Sequence, residues 1–176
     1  MNFHSMMVHF PIALLIMYSL FELLNFKIIT KQRNWFYTKA TLLIVGVITA
    51  FPALSTGEML EDSPKYEEKL LDLHEGFAGA STNLYTVLAV LYLLAVIYRT
   101  PKIKDFIKSV KSMPDWWPKV INTILKVANK IVSSPLFIIT VVIGILLLTI
   151  TGGLGGVLSS GIGVDPVADF FYYLFF

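Results

Sequence analysis

The sequence predicts an all-α integral membrane protein, a four-helix bundle with two short amphipathic interfacial helices in a cytoplasmic loop. Of its 176 residues, 56% are hydrophobic and 15% are charged, and the mean hydropathy is +0.71. A soluble domain is about one half apolar and one quarter charged. The apolar residues also fall in four long blocks, which is typical of helices that cross a bilayer.

The four blocks cover about residues 6–26, 35–54, 78–98 and 136–158. Each is close to the roughly 20 residues that a helix needs to cross about 30 Å of hydrocarbon. Residues 1–176 are therefore predicted to form a single membrane domain, with a basic insert at residues 99–131.

The basic residues predict the orientation of these spans. Of fourteen lysines and arginines, four lie at residues 27–39 and eight at residues 99–130. By the positive-inside rule both segments are cytoplasmic. We therefore expect a multi-pass protein of the plasma membrane with both termini extracytoplasmic.

The basic insert itself has helical periodicity. Apolar residues recur opposite lysines in two stretches, residues 103–111 and residues 118–132, separated by the segment MPDWWP. Trp116 and Trp117 suit a membrane interface. Both stretches are predicted to lie in the headgroup plane in contact with lipid, and the alternative is a docking surface for a soluble partner.

The chain contains three histidines, His4, His9 and His74, and all fall on the predicted outer side. His9 lies about one turn inside the first span, and His74 precedes the third, on a helix that Ser63 and Pro64 are expected to start. An ionisable group inside a membrane segment is by default a functional hypothesis. The alternative is that each histidine bonds to water or to a loop carboxylate at the interface.

Helix geometry limits which histidines can pair. His4 and His9 are five residues apart, which places them 140° from each other around a helix. One histidine of the first helix and His74 make the more natural pair, and two imidazoles would give a six-coordinate haem iron suited to electron transfer. We expect His9 and His74 as axial ligands of haem b, with His4 as an auxiliary ligand or hydrogen-bond donor.

Three glycines are candidates for close approach of main chain to such a cofactor. They are Gly79 at the start of the third span and Gly152 and Gly156, which form a G-x-x-x-G step in the fourth. Close helix–helix packing is the other reason for small residues at such positions. The tail DFFYYLFF is expected to be an outer interfacial anchor or a subunit contact.

Composition excludes several functions. Without cysteine there can be no Fe–S cluster, thiolate zinc site or Cys-attached haem. A net charge of +2 gives no indication of nucleic-acid binding. There is no phosphate-binding loop, Ser–His–Asp pattern or H-E-x-x-H, so we expect an electron-transfer or accessory subunit, not a catalyst by itself.

Copper is the alternative metal. Imidazole and thioether suit Cu(I), and four methionines accompany His4 and His9 at the outer face: Met1, Met6, Met7 and Met59. Glu22 lies inside the first span, where a proton-relay role is conceivable, but the sequence shows no partner for it.

The stretch FHSMMVHFPIALL resembles the opening of a family of bacterial four-helix membrane proteins, domain of unknown function 2231, which begins with a pattern like HP-x-x-VHFPIAL. GGLGGVLSSGIGVD and DLHEGFAGAS resemble two further family segments, and the latter places His74 on the family's histidine. Ser5 stands in place of the family's proline, and Ser160 where the family often has a histidine. The resemblance implies the four-span fold and a role for the histidines, and it leaves at most one complete histidine pair here.

The leading expectation is thus a small b-type haem subunit, part of a larger complex, that passes electrons near the outer face. Its expected partners are the lipid bilayer, membrane or periplasmic redox proteins, and a quinone among small molecules. A non-redox anchoring subunit is the main alternative, and copper binding is the third.

Overall fold

The computed structural model describes residues 3–24, 33–58, 68–109, 114 and 116–176. Within these ranges all regular structure is helical, which confirms the predicted fold class. The helices are α1 (Phe3–Leu23), α2 (Arg33–Glu58), α3 (Glu68–Arg99), α4 (Pro101–Lys108), α5 (Trp117–Val132), α6 (Pro135–Ser160) and α7 (Pro166–Phe175). Four of them, α1, α2, α3 and α6, are long and apolar enough to cross a membrane.

The helices do not stop where the apolar blocks stop. α3 begins at Glu68, ahead of the span predicted from residue 78, and α2 continues to Glu58 beyond the predicted span end at residue 54. Backbone hydrogen bonding continues where side chains become polar. Hydropathy therefore identifies the part of a helix that lies in the hydrocarbon layer, and not the residue at which the helix ends. The predicted helix start at Ser63 and Pro64 lies outside the described residues.

The four long helices form a ring in which neighbours in space are α1–α2, α2–α3, α3–α6 and α6–α1. α1 and α3 therefore occupy diagonal positions and face each other across the interior. Tyr18 of α1 meets Tyr85 and Tyr92 of α3 there, with ring centroids 6.3 and 5.7 Å apart. Edge-to-face contacts of this kind stabilise a packed interior.

Large apolar side chains cover the outside of the bundle. Val87, Val90 and Leu93 of α3 and Leu146 of α6 are about half exposed. In water such a surface would be costly, whereas hydrocarbon chains solvate it. This surface is the one that contacts the lipid bilayer.

At one end of the bundle, here called the basic end, α5 is fixed against α3. Arg99 donates hydrogen bonds from Nε to the Asn129 side-chain oxygen (2.6 Å) and from a terminal nitrogen to Ser133 Oγ (3.0 Å). Leu125 and Val132 are buried. The two predicted amphipathic helices are present as α4 and α5.

At the opposite end, here called the histidine end, α7 folds back on α6. Gly161 and Gly163 adopt φ of +84° and +88°, a region that glycine enters without steric cost. Asp165 caps α7 by accepting a hydrogen bond from the Val167 amide at 2.8 Å. The aromatic tail is thus a helix that packs on α6. Phe170 and Tyr173 remain more than 60% exposed, so the anchor or subunit contact stays a prediction.

Candidate functional site

His74 projects from α3 towards α6 at the histidine end. Its Nδ1 lies 3.0 Å from the backbone oxygen of Thr151. A carbonyl oxygen only accepts hydrogen bonds, so Nδ1 carries the proton and donates it. The lone pair of this imidazole is consequently on Nε2.

His4 of α1 is held in the same way. Its Nδ1 lies 3.0 Å from Thr56 Oγ1, and the Thr56 hydroxyl donates its own proton to the Ala53 carbonyl at 2.8 Å. Thr56 must therefore accept from His4, which again places the proton on Nδ1 and the lone pair on Nε2. His4 precedes the apolar span. Burial lowers the pKa of its imidazole, and a backbone hydrogen bond at Ala53 partly opposes this effect. The neutral imidazole is thereby favoured.

The register of α1 and α3 brings His4 and His74 to the same level. At the basic end the Tyr92 hydroxyl donates to Glu22. Eighteen residues separate Glu22 from His4 (22 − 4) and Tyr92 from His74 (92 − 74). Eighteen residues are five full helical turns, so His4 and His74 lie on the same helix faces as Glu22 and Tyr92, at the opposite end of the bundle.

Two glycines make room for the imidazole rings. A Cβ at Gly155 of α6 would come within 2.9 Å of His74 Cε1, and one at Gly57 of α2 within 3.2 Å of His4 Cε1. Each ring therefore lies directly against the backbone of a neighbouring helix. The sequence analysis missed both glycines, although Gly155 belongs to the motif that it singled out.

The other predicted site residues have different surroundings. His9 is exposed on α1. A Cβ added to Gly79 or Gly152 would meet no atom within 4 Å, and Gly156 packs against Ala168 of α7. Of the predicted residues, His4 and His74 lie at the same end of the bundle on diagonal helices, each hydrogen-bonded to a neighbouring helix.

The described residues contain no group of three or more histidine, acidic or cysteine side chains arranged to hold a metal ion. Met6 is more than half exposed, whereas Met1 and Met59 of the copper hypothesis lie outside the described residues. What the histidine end offers is two imidazoles whose Nδ1 protons are committed to hydrogen bonds, so that the neutral form of each has its lone pair on Nε2. Hydrogen bonds at Nδ1 orient metal-binding histidines in the same way.

A second polar group occupies the basic end. Lys39 Nζ of α2 lies 2.8 Å from Glu22 Oε1, with side chains 14% and 8% exposed, and Tyr92 donates to the other Glu22 oxygen. Deeper in the bundle Ser19 Oγ and the Tyr85 hydroxyl are 2.8 Å apart. Glu22 therefore joins α1, α2 and α3, and the sequence analysis missed both of its partners.

A family model described as "Predicted membrane protein (DUF2231)" matches residues 1–167. No curated protein and no solved structure matches the chain.

Proposed function

The chain belongs to the DUF2231 family of predicted membrane proteins, and we propose that it is a membrane-embedded electron-transfer subunit that binds b-type haem between His4 and His74. One observation carries the proposal. Both imidazoles face the interior from diagonal helices, and both have their Nδ1 proton committed to a hydrogen bond, which leaves Nε2 as the ligand atom.

The α1 ligand in this proposal is His4 in place of His9. His9 is exposed, whereas His4 is partly buried at the level of His74. A haem iron held by two imidazoles has no open position, and it therefore supplies one-electron transfer and not oxygen chemistry.

The residues around the pair fit this role. Thr151 and Thr56 orient the rings and raise the basicity of Nε2 through their hydrogen bonds. A buried apolar cluster beside the site, with Leu70, Leu154 and Val157, keeps water away and lowers the local dielectric, which tunes the potential of a bound redox group.

The partners follow from where the site lies. The charge pattern predicts that the histidine end is extracytoplasmic, so we propose a quinol in the bilayer as the electron donor and an extracytoplasmic redox protein as the acceptor. Both partners follow from the proposed cofactor and are not expected without it.

The test is the reduced-minus-oxidised absorption spectrum of the protein purified in mild detergent from haem-replete cells. We expect a sharp reduced α-band in the wild type, its loss in His4→Ala and His74→Ala, and its retention in His9→Ala. His9→Ala is the matched control because it removes a histidine from the same helix but from another face.

Metal analysis of the same preparations separates the alternatives. Copper without haem would replace the haem proposal by a copper site, whereas a colourless and metal-free wild type that is folded would leave an anchoring role. Loss of the α-band in His9→Ala with retention in His4→Ala would identify His9 as the α1 ligand.

A further inference from the structure

A groove of about 250 Å³ lies at the basic end, between α3 and α5. Leu91 and Leu94 of α3 form one wall, and Ile124, Val127 and Ile131 of α5 form the other. Apart from Thr123, its lining is apolar. The groove is therefore suited to a hydrocarbon chain.

The groove is held in place by the contacts that fasten α5 to α3. Arg99 bonds Asn129 and Ser133 while its guanidinium stacks over the Phe36 ring, 3.8 Å from the centroid. Val132 belongs to the buried core with Tyr92 and Phe137. A groove between two elements so fixed keeps its shape and can retain a ligand with little ordering cost.

One side of the groove is basic. Positions 119, 126 and 130 of α5 lie four, three and seven residues from Thr123, a residue of the groove lining, and therefore share one stripe of the helix with it. All three positions are lysines and all are exposed. At the start of α5, Trp116 and Trp117 contact each other edge to face, and tryptophan is typical of the headgroup level.

We propose that this groove binds an anionic phospholipid, with an acyl chain between Leu91 and Val127 and the headgroup phosphate at Lys126 and Lys130. Charge complementarity selects this occupant, because lysines next to a fixed apolar groove of a membrane helix match both parts of such a lipid. A zwitterionic lipid would gain less from the lysines. The proposal is independent of any cofactor at the histidine end.

The test is native mass spectrometry of the protein extracted from vesicles of equimolar phosphatidylglycerol and phosphatidylcholine. We expect the wild type to retain phosphatidylglycerol in preference. Lys126→Gln should lower that preference about fivefold, equivalent to about 1 kcal/mol per basic residue at a membrane surface. Lys102→Gln on α4, also an exposed lysine, is the matched charge control.

A second pair of variants tests the apolar part. Val127→Trp fills the groove and should abolish retention of the lipid, whereas Leu146→Trp, on the lipid-facing surface of α6 and 57% exposed, should leave it unchanged. The absorption spectrum of Val127→Trp is expected to match the wild type, so a failure here is distinguishable from a failure at the histidine end.

Three results would overturn the proposal. Equal retention of the two lipids would remove the role of the lysines. Retention in Val127→Trp at the level of Leu146→Trp would show that the groove holds no acyl chain. A dimer that becomes monomeric in Val127→Trp, without a lipid-bound species in the wild type, would assign the groove to a second copy of the chain.

Discussion

Gly155 controls how closely His74 can approach α6. A methyl group there would come within 2.9 Å of His74 Cε1, and the ring is held in place by its hydrogen bond to Thr151. The ring can move away only by stretching or breaking that bond. A single methyl group at this position should therefore displace the His74 ring while residue 74 itself remains a histidine.

We predict that Gly155→Ala lowers the free energy of unfolding by about 1 to 3 kcal/mol, the usual cost of overpacking. Gly152→Ala, three residues away with open space around it, should be neutral or more stable by up to about 1 kcal/mol because alanine is the better helix former. Thermal unfolding in detergent, followed by tryptophan fluorescence, measures both. Equal midpoints for the two variants would mean that His74 does not pack on Gly155.

At the level of single residues, helix face and depth in the membrane favour different histidines of α1. The sequence analysis preferred His9 because it lies further inside the span, but depth does not say which way a side chain points. The buried row of α1 runs through Pro11, Leu15 and Tyr18, and His4 continues that row at heptad spacing. This signal was available in the sequence, whereas Gly57 and Gly155 required knowledge of which helices are neighbours.

At the level of helices, the ion pair of Glu22 and Lys39 connects α1 to α2, and Tyr92 adds α3. Breaking such a pair leaves one charge uncompensated in a low dielectric, whereas replacing both partners removes the charges together. Replacing one partner of this pair should therefore cost more stability than replacing both.

We predict that Glu22→Leu and Lys39→Met each destabilise the bundle by on the order of 3 kcal/mol. The double variant should recover most of this loss and retain a deficit of about 1 kcal/mol, because the Tyr92 hydroxyl loses its acceptor. The measurement is a double-mutant cycle of thermal or denaturant unfolding in one detergent. Additive effects of the two single variants would contradict a direct interaction.

The helices themselves were well predicted and their partners were not. Long apolar blocks and the basic amphipathic insert depend on local periodicity, which the sequence contains in full. The fold-back of α7 was missed because it depends on Gly153, against which Phe171 packs so closely that a Cβ would lie 2.6 Å from its ring. Contacts between elements far apart in the chain have no local signature.

For the whole molecule, the orientation in the membrane is the property that single contacts cannot define. It depends on the distribution of lysine and arginine between the two ends of the bundle. The absence of cysteine from the sequence makes the chain suitable for a direct measurement, because an introduced thiol is the sole labelling site.

We predict that Ser160→Cys reacts with a membrane-impermeant maleimide in intact spheroplasts, whereas Ser109→Cys reacts only after lysis. Both serines are exposed, and they lie at opposite ends of the bundle: Ser160 is the last residue of α6 and Ser109 follows α4. Labelling after lysis serves as the control for reactivity. Reaction of Ser109→Cys in intact spheroplasts would invert the topology and with it the proposed location of the histidine end.

The eighteen-residue offset shared by α1 and α3 sets the distance between the two polar groups along the bundle. Five turns correspond to about 27 Å, close to the thickness of the hydrocarbon layer. The imidazole pair and the Glu22–Lys39 pair are thus held near opposite surfaces, away from the midplane where a charge is most costly. A much thinner bilayer would expose one of the two pairs to water, and a much thicker one would place one of them in hydrocarbon. The surroundings of both pairs therefore depend on the thickness of the membrane.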